Sequence, residues 1–226
     1  MSNRCRPFVL SPHNASMEVI KGAITHVGER RRRVAITGAG KSLRDLPWHD
    51  DTWEIWGINN FWNAMRDPEG RLRADRWFEL HPPTTDIQDP HDMTWLRACH
   101  VPIYTTEPFP ANPLAVVFPV GELARVYRDY FSCTFAYQIA LAIHEGFEEL
   151  AIHGLELAYG TQREATVERA CVDWWLGYAE GRGMRVSVPE GDHVAKHWAR
   201  YGFDYWTEAN LVKDYVGSLV GRKVAE

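Results

Sequence analysis

One junction constrains this chain more than any other feature. The apolar run Val34-Ala35-Ile36-Thr37 stops at Gly38-Ala39-Gly40-Lys41-Ser42-Leu43. A short buried strand followed at once by two glycines and a helical start is the opening of a βαβ unit. The glycines let backbone N–H groups come close to an anion, and the new helix adds its positive end. The junction therefore points to an α/β chain that handles a nucleotide phosphate.

The rest of the sequence alternates in the same way. Trp53–Ile58 reads as a second strand, Arg76–Leu80 as a third ending at His81-Pro82-Pro83, and Val101–Tyr104 as a short fourth. A short helix from Ser42 must end near Pro47, where proline removes a donor and crowds the preceding turn. The segment 105–119 holds four prolines and reads as a loop over one end of the sheet. Thr134–Glu145 is almost wholly apolar, as a helix covered on most sides must be, and Gly146 stops it. Glu149–Gly154 is a further strand, Glu164–Arg182 an amphipathic helix, and Met184–Val188 a last strand. The expected fold class is α/β. It is a Rossmann-like, doubly wound, mostly parallel sheet with helices on both faces and a helical C-terminal tail. The domain plan is an arm over residues 1–32, a nucleotide-binding domain over 33–190 and a helical tail over 191–226 packed on the same domain.

Composition narrows the function. A length of 226 residues with 45% hydrophobic content supports one sizeable core, and a net charge of -5 argues against general coating of nucleic acid. The four cysteines, Cys5, Cys99, Cys133 and Cys171, form no Cys-x-x-Cys pair, which disfavours zinc knuckles and thioredoxin chemistry and fits reduced thiols in the cytoplasm. No signal peptide and no run long enough to span a bilayer is read, so the expectation is a cytoplasmic protein without a membrane partner. Ten tryptophans admit two readings, a Trp-rich core or a few rings stacked on sugars or bases.

Two familiar phosphate motifs fit poorly. A P-loop needs Ala35 and Ile36 outside the strand and a long following helix, and no strand ends in an Asp suited to Mg²⁺. The dinucleotide fingerprint lacks its third glycine, because Leu43 stands there. What remains is a Gly-x-Gly-x-Ser-Leu turn with Asn59-Asn60 closing the second strand. Gly38, Gly40, Ser42, Asn59, His81 and Gly154 then collect at the carboxyl ends of the strands, where such sheets bind ligands. Asn59 can both donate and accept hydrogen bonds, and His81, at a strand end before Pro82, is the candidate base.

The order Val-Ala-Ile-Thr-Gly-Ala-Gly-Lys-Ser-Leu, Ile-Asn-Asn-Phe, the buried helix, and Gly-Phe-Glu-Glu-Leu-Ala-Ile-His-Gly-Leu-Glu-Leu resembles the bacterial sialyltransferases that use CMP-sialic acid. It is also similar to the related Rossmann-like proteins of the pterin-pyrophosphokinase type and to phage proteins of the same outline. The resemblance runs from Arg33 to Pro189. It implies that Gly38, Gly40 and Ser42, with Lys41, hold the nucleotide phosphate and that Asn59 contacts the nucleotide or donor sugar. It places Thr134 near the nucleotide, and Gly154 and Glu156 at a Gly-x-Asp position beside the nucleoside. Two departures stand out: Lys41 replaces a proline, and the family's catalytic His has no counterpart among residues 159–165, which offer Tyr159, Arg163 and Glu164 instead. Glu164 and His193 join His81 as candidate catalytic groups. Asp192-His193 with His197 also has the spacing of a helical metal pair.

The expected function is a nucleotide-dependent transferase, in the first place a glycosyltransferase using a nucleotide-activated sugar. No resident cofactor is indicated, and a need for Mg²⁺ is left open. The phage outline implies a surface glycan or a modified DNA base as acceptor. One alternative is Mg²⁺-dependent phosphoryl or pyrophosphoryl transfer at the same site, favoured if Glu79 and Glu156 cluster at the strand ends. The other is a non-catalytic protein that binds or sequesters a nucleotide. The aromatic tail suits either a cap over the site or a contact between copies in a homo-oligomer.

Overall fold

The computed structural model describes residues 31–81, 90–155, 157, 163–190, 192, 194 and 195, with the side chains of 90–92, 164 and 165 outside that description. Seven strands form one sheet: β1 (Arg33–Thr37), β2 (Trp53–Ile58), β3 (Arg76–Glu79), β4 (Ile103–Thr105), β5 (Ala115–Val117), β6 (Glu149–His153) and β7 (Arg185–Ser187). Their order is β5-β4-β3-β2-β1-β6-β7, and every neighbouring pair is parallel. The α-helices among the described residues are α1 (Pro90–Ala98), α2 (Val120–Val126), α3 (Thr134–Glu145) and α4 (Arg169–Gly181). This is a Rossmann-like, doubly wound α/β fold.

Period-two alternation assigns the strand residues to two cores. Val34, Ile36, Trp56, Ile58, Phe78, Leu150 and Ile152 face the larger core with α3 and α4. Ala35, Trp53, Ile55, Trp77, Ile103 and Ala151 face the smaller one with Leu43, Leu46 and the helix α1 residue Leu96. Both faces of β1 are covered, so its apolar run is continuous, as parallel central strands require. Gly57 makes room for a neighbour. A Cβ there would lie 2.1 Å from the Trp77 ring, and the indole that fills the space donates from Nε1 to the Asn59 carbonyl at 2.9 Å.

Several sequence expectations need correction. The proline-rich stretch 105–119 is not all loop, because Ala115–Val117 pairs with β4 as the outermost strand of that edge. The fourth strand lies at Ile103–Thr105, shifted toward the carboxyl side of the expected Val101–Tyr104, since Pro102 cannot donate to a ladder. The helix expected from Glu164 begins as a wide π turn, Glu164–Glu168, before α4. Of the expected helical tail, Asp192, Val194 and Ala195 are in bends rather than helix, and the rest of it lies outside the described residues. Ala195 has φ +49°, and its N–H donates to the Asp173 carboxylate at 2.8 Å. Among the described residues, no helix is long and apolar enough to cross a membrane.

Candidate functional site

The strand order reverses between β1 and β6, and there the two strand-end glycines meet. The Gly38 N–H donates to the His153 carbonyl at 2.8 Å, and the Gly40 N–H to the Gly154 carbonyl at 2.8 Å. A Cβ on Gly38 would fall 2.3 Å from the Gly154 oxygen. A Cβ on Gly154, whose φ is +73°, would fall 2.7 Å from the Gly38 oxygen. Ser42 completes the junction. Its buried hydroxyl accepts the Gly154 N–H at 2.5 Å and donates to the Asp192 carboxylate, whose oxygens lie 2.7 and 2.8 Å away. The Gly38 and Gly40 N–H groups and the Ser42 hydroxyl are engaged in closing a floor. Lys41 is exposed and is not among the residues that line the space above.

Above that floor opens a cleft of about 790 Å³. Gly38, Ala39, Gly40 and Gly154 border it from below, Asn59 and His81 from the ends of β2 and β3, and Thr134 from the start of α3. The fold thus brings together six of the residues expected to bind or react, drawn from four strand ends and a helix. The volume lies within the usual range for small-molecule sites of roughly 300–1,000 Å³. No described tryptophan lines the cleft; Trp56, Trp77 and Trp175 are fully buried, so the core reading of the tryptophans holds for these three. The aromatic lining comes from Phe61, Phe131, Phe135 and Tyr137 instead, with Phe131 and Tyr137 stacked at 4.5 Å and 5°.

Two side chains at the strand ends have unusual surroundings. Asn59 has φ +50°, a conformation asparagine tolerates better than most residues. Its Oδ1 is buried without a hydrogen-bond partner among the described residues. His81 Nδ1 lies 2.8 Å from Glu79 Oε1, whose side chain is 6% exposed. The hydrogen bond to Glu79 raises the His81 pKa above its ordinary value, outweighing desolvation. The Glu79–His81 pairing was open to discovery, since residues two apart on an extended chain share a side. Sequence reasoning registered Glu79 only as a strand-end acid. Glu168, also in the lining, falls within the helix expected over Glu164–Arg182; nothing in the sequence announces the π turn that carries it. The backbone of Glu164 belongs to that turn, and its side chain lies outside the description. Glu156 and His193 fall outside the described residues, though Leu155 and Leu157 both line the cleft. Among the described residues, no group of three His, Cys, Asp or Glu side chains is placed to hold a metal ion.

No family model matches the chain, and no curated protein matches it. Solved structures do. The sialyltransferase CstII from Campylobacter jejuni, in complex with a substrate analogue, cytidine-5'-monophosphate, is 13% identical over 71% of this chain and 81% of its own, with a TM-score of 0.46. The monofunctional alpha-2,3-sialyltransferase Cst-I from Campylobacter jejuni is 10% identical over 84% of this chain and 98% of its own, with a TM-score of 0.47.

Proposed function

We propose that the protein is a nucleotide-dependent glycosyltransferase that moves a sugar from a nucleotide-activated donor to a hydroxyl of a glycan acceptor. The observation that carries the reading is the cleft itself. It lies at the carboxyl edge of a parallel sheet and runs from the β1–β6 reversal to a carboxylate-oriented histidine. Asn59 Oδ1, an acceptor without a partner, suits a donor group of the nucleoside or the sugar. The positive end of α3, through Ser132 to Phe135, borders the same space and favours the charge of the donor phosphate. His81, oriented by Glu79, transfers a proton at the reacting centre. The motif resemblance to CMP-sialic-acid-dependent enzymes makes CMP the first nucleotide to test and CMP-sialic acid the first donor.

The test is a melting-temperature panel of CMP, UDP, ATP and GTP with and without Mg²⁺, followed by CMP release from CMP-sialic acid. A ligand that binds the native state raises Tm by mass action. CMP is expected to raise Tm without metal. His81→Ala is expected to keep that shift while turnover falls by about 100-fold, the scale of general acid–base assistance. A response only to ATP or GTP with Mg²⁺ would replace this reading with phosphoryl transfer. A full response to CMP with no release from any nucleotide sugar would replace it with nucleotide sequestration.

A further inference from the structure

The cleft has two walls, and each carries a group able to exchange protons. The described titratable side chains in its lining are His81, Cys133, Tyr137, Arg163 and Glu168. Burial lifts the Cys133 thiol to about 12 and raises the Tyr137 phenol, while an arginine keeps its proton. His81 and Glu168 remain as the imidazole and the carboxylate of the lining. They stand on different elements, His81 just beyond β3 and Glu168 on the π turn before α4. A π turn adds a residue to the helical turn and commonly marks a functional position. Here it carries Glu168 into the cleft, with the Glu168 side chain only 19% exposed. The two groups are near enough for the Glu168 charge to strengthen His81's hold on its proton.

Each group also has a companion of opposite character. Glu79 holds the Nδ1 side of His81 at 2.8 Å, which favours the imidazolium. Arg163 donates from Nε to Glu168 Oε1 at 3.2 Å, so the carboxylate meets the cleft as a hydrogen-bond acceptor.

We propose that Glu168 is the second proton-transfer residue of the cleft, its carboxylate receiving the proton of the attacking acceptor hydroxyl while His81 gives one to the leaving phosphate oxygen. The assignment rests on the glycosyl-transfer reading and gives His81 the acid role. The acceptor oxygen forms its bond to the anomeric carbon. The anomeric carbon–phosphate oxygen bond breaks with its electron pair staying on the phosphate. The hydroxyl proton goes to Glu168, the imidazolium proton goes to the phosphate oxygen, and exchange with solvent restores both groups before the next turnover.

The experiment uses the full chain and follows CMP release from CMP-sialic acid between pH 5 and 9, with the histidine ring signals of the free protein titrated in parallel by NMR. Wild-type activity is expected to fall as pH rises through the His81 midpoint. Glu168→Gln should drop kcat by about 100-fold or more and change KM for the donor by less than about 3-fold. In the NMR titration the same variant should move the His81 midpoint to lower pH, an effect that needs no turnover. A Glu168→Gln enzyme that keeps wild-type kcat overturns the assignment and leaves glycosyl transfer standing. An unmoved His81 midpoint likewise overturns it. A wild-type chain that binds CMP yet releases it from no nucleotide sugar overturns the glycosyl-transfer reading instead.

Discussion

The two ends of the sheet treat polar groups in opposite ways. At the amino ends of β2 and β3, Arg76 is enclosed by partners: Glu145 at 2.6 Å, Glu54 at 2.9 Å, the Tyr104 hydroxyl at 3.2 Å and the Trp56 ring at 4.8 Å. Burial works against its charge, yet Glu145 and Glu54 hold its proton more tightly than usual. Asp75 nearby receives Arg31 at 2.6 Å, Arg73 at 2.7 Å and the Ile55 N–H at 2.8 Å. Burial opposes that carboxylate too, and these donors still keep its pKa below the ordinary value. At the carboxyl end, Asn59 Oδ1 has no hydrogen-bond partner among the described residues, Asn59 and Gly154 take positive φ, and an open cleft separates His81 from Glu168. One end pairs its charges to join β2, β3 and α3, although Arg76 Nε there lacks a hydrogen-bond partner among the described residues. The other leaves polar capacity unspent, as a surface awaiting a ligand does.

The strongest break in this comparison is Arg76→Met. It takes the Arg76 cation away from Glu54 and Glu145, and unfolding stability is expected to fall by about 3–5 kcal/mol. Urea denaturation measures the loss, while CMP binding per folded molecule should be unchanged. A loss under about 1 kcal/mol would show that the amino end is not held by this network. Asn59→Gly should act in the opposite direction. It keeps the positive φ at no steric cost and removes an unsatisfied acceptor, so stability should hold or rise by about 1 kcal/mol. CMP affinity should weaken in calorimetry. A clear loss of stability would mean that Asn59 serves the fold rather than the cleft.

The smallest expected effect is the most specific. Because the folded-state pKa of His81 is raised above 6.5, its contribution to stability is complete below that ordinary value and is lost as pH rises through the folded one. Glu79→Gln removes the main cause of the shift. The His81 midpoint should move down, the alkaline limb of activity should move with it, and the change in Tm across that pH window should flatten. An unchanged midpoint in the NMR titration would break the Glu79–His81 assignment.

Local pattern reported some elements to the residue. Trp53–Ile58 and Thr134–Glu145 were legible because unbroken burial leaves a continuous apolar record, and Gly146 at φ +76° marked where the helix stops. Ala115–Val117 was not legible, since three residues among prolines become a strand only when β4 offers a ladder. Asn59, His81 and Gly154 could be placed because parallel topology sends every strand end to one edge. The Glu168 position could not, because a π turn differs from an α turn by one hydrogen-bond register and leaves no mark in side-chain type.

The sequence by itself determined the parallel α/β plan and the edge on which chemistry would gather, because strand periodicity and glycine position are properties of neighbouring residues. The tertiary structure alone decided what those residues do there. It turned Ser42 toward Asp192, 150 positions along the chain, and used the Gly38 and Gly40 N–H groups to bind the β6 end. A hydroxyl or an N–H has few bonds to give, and only the folded chain shows which partner receives them.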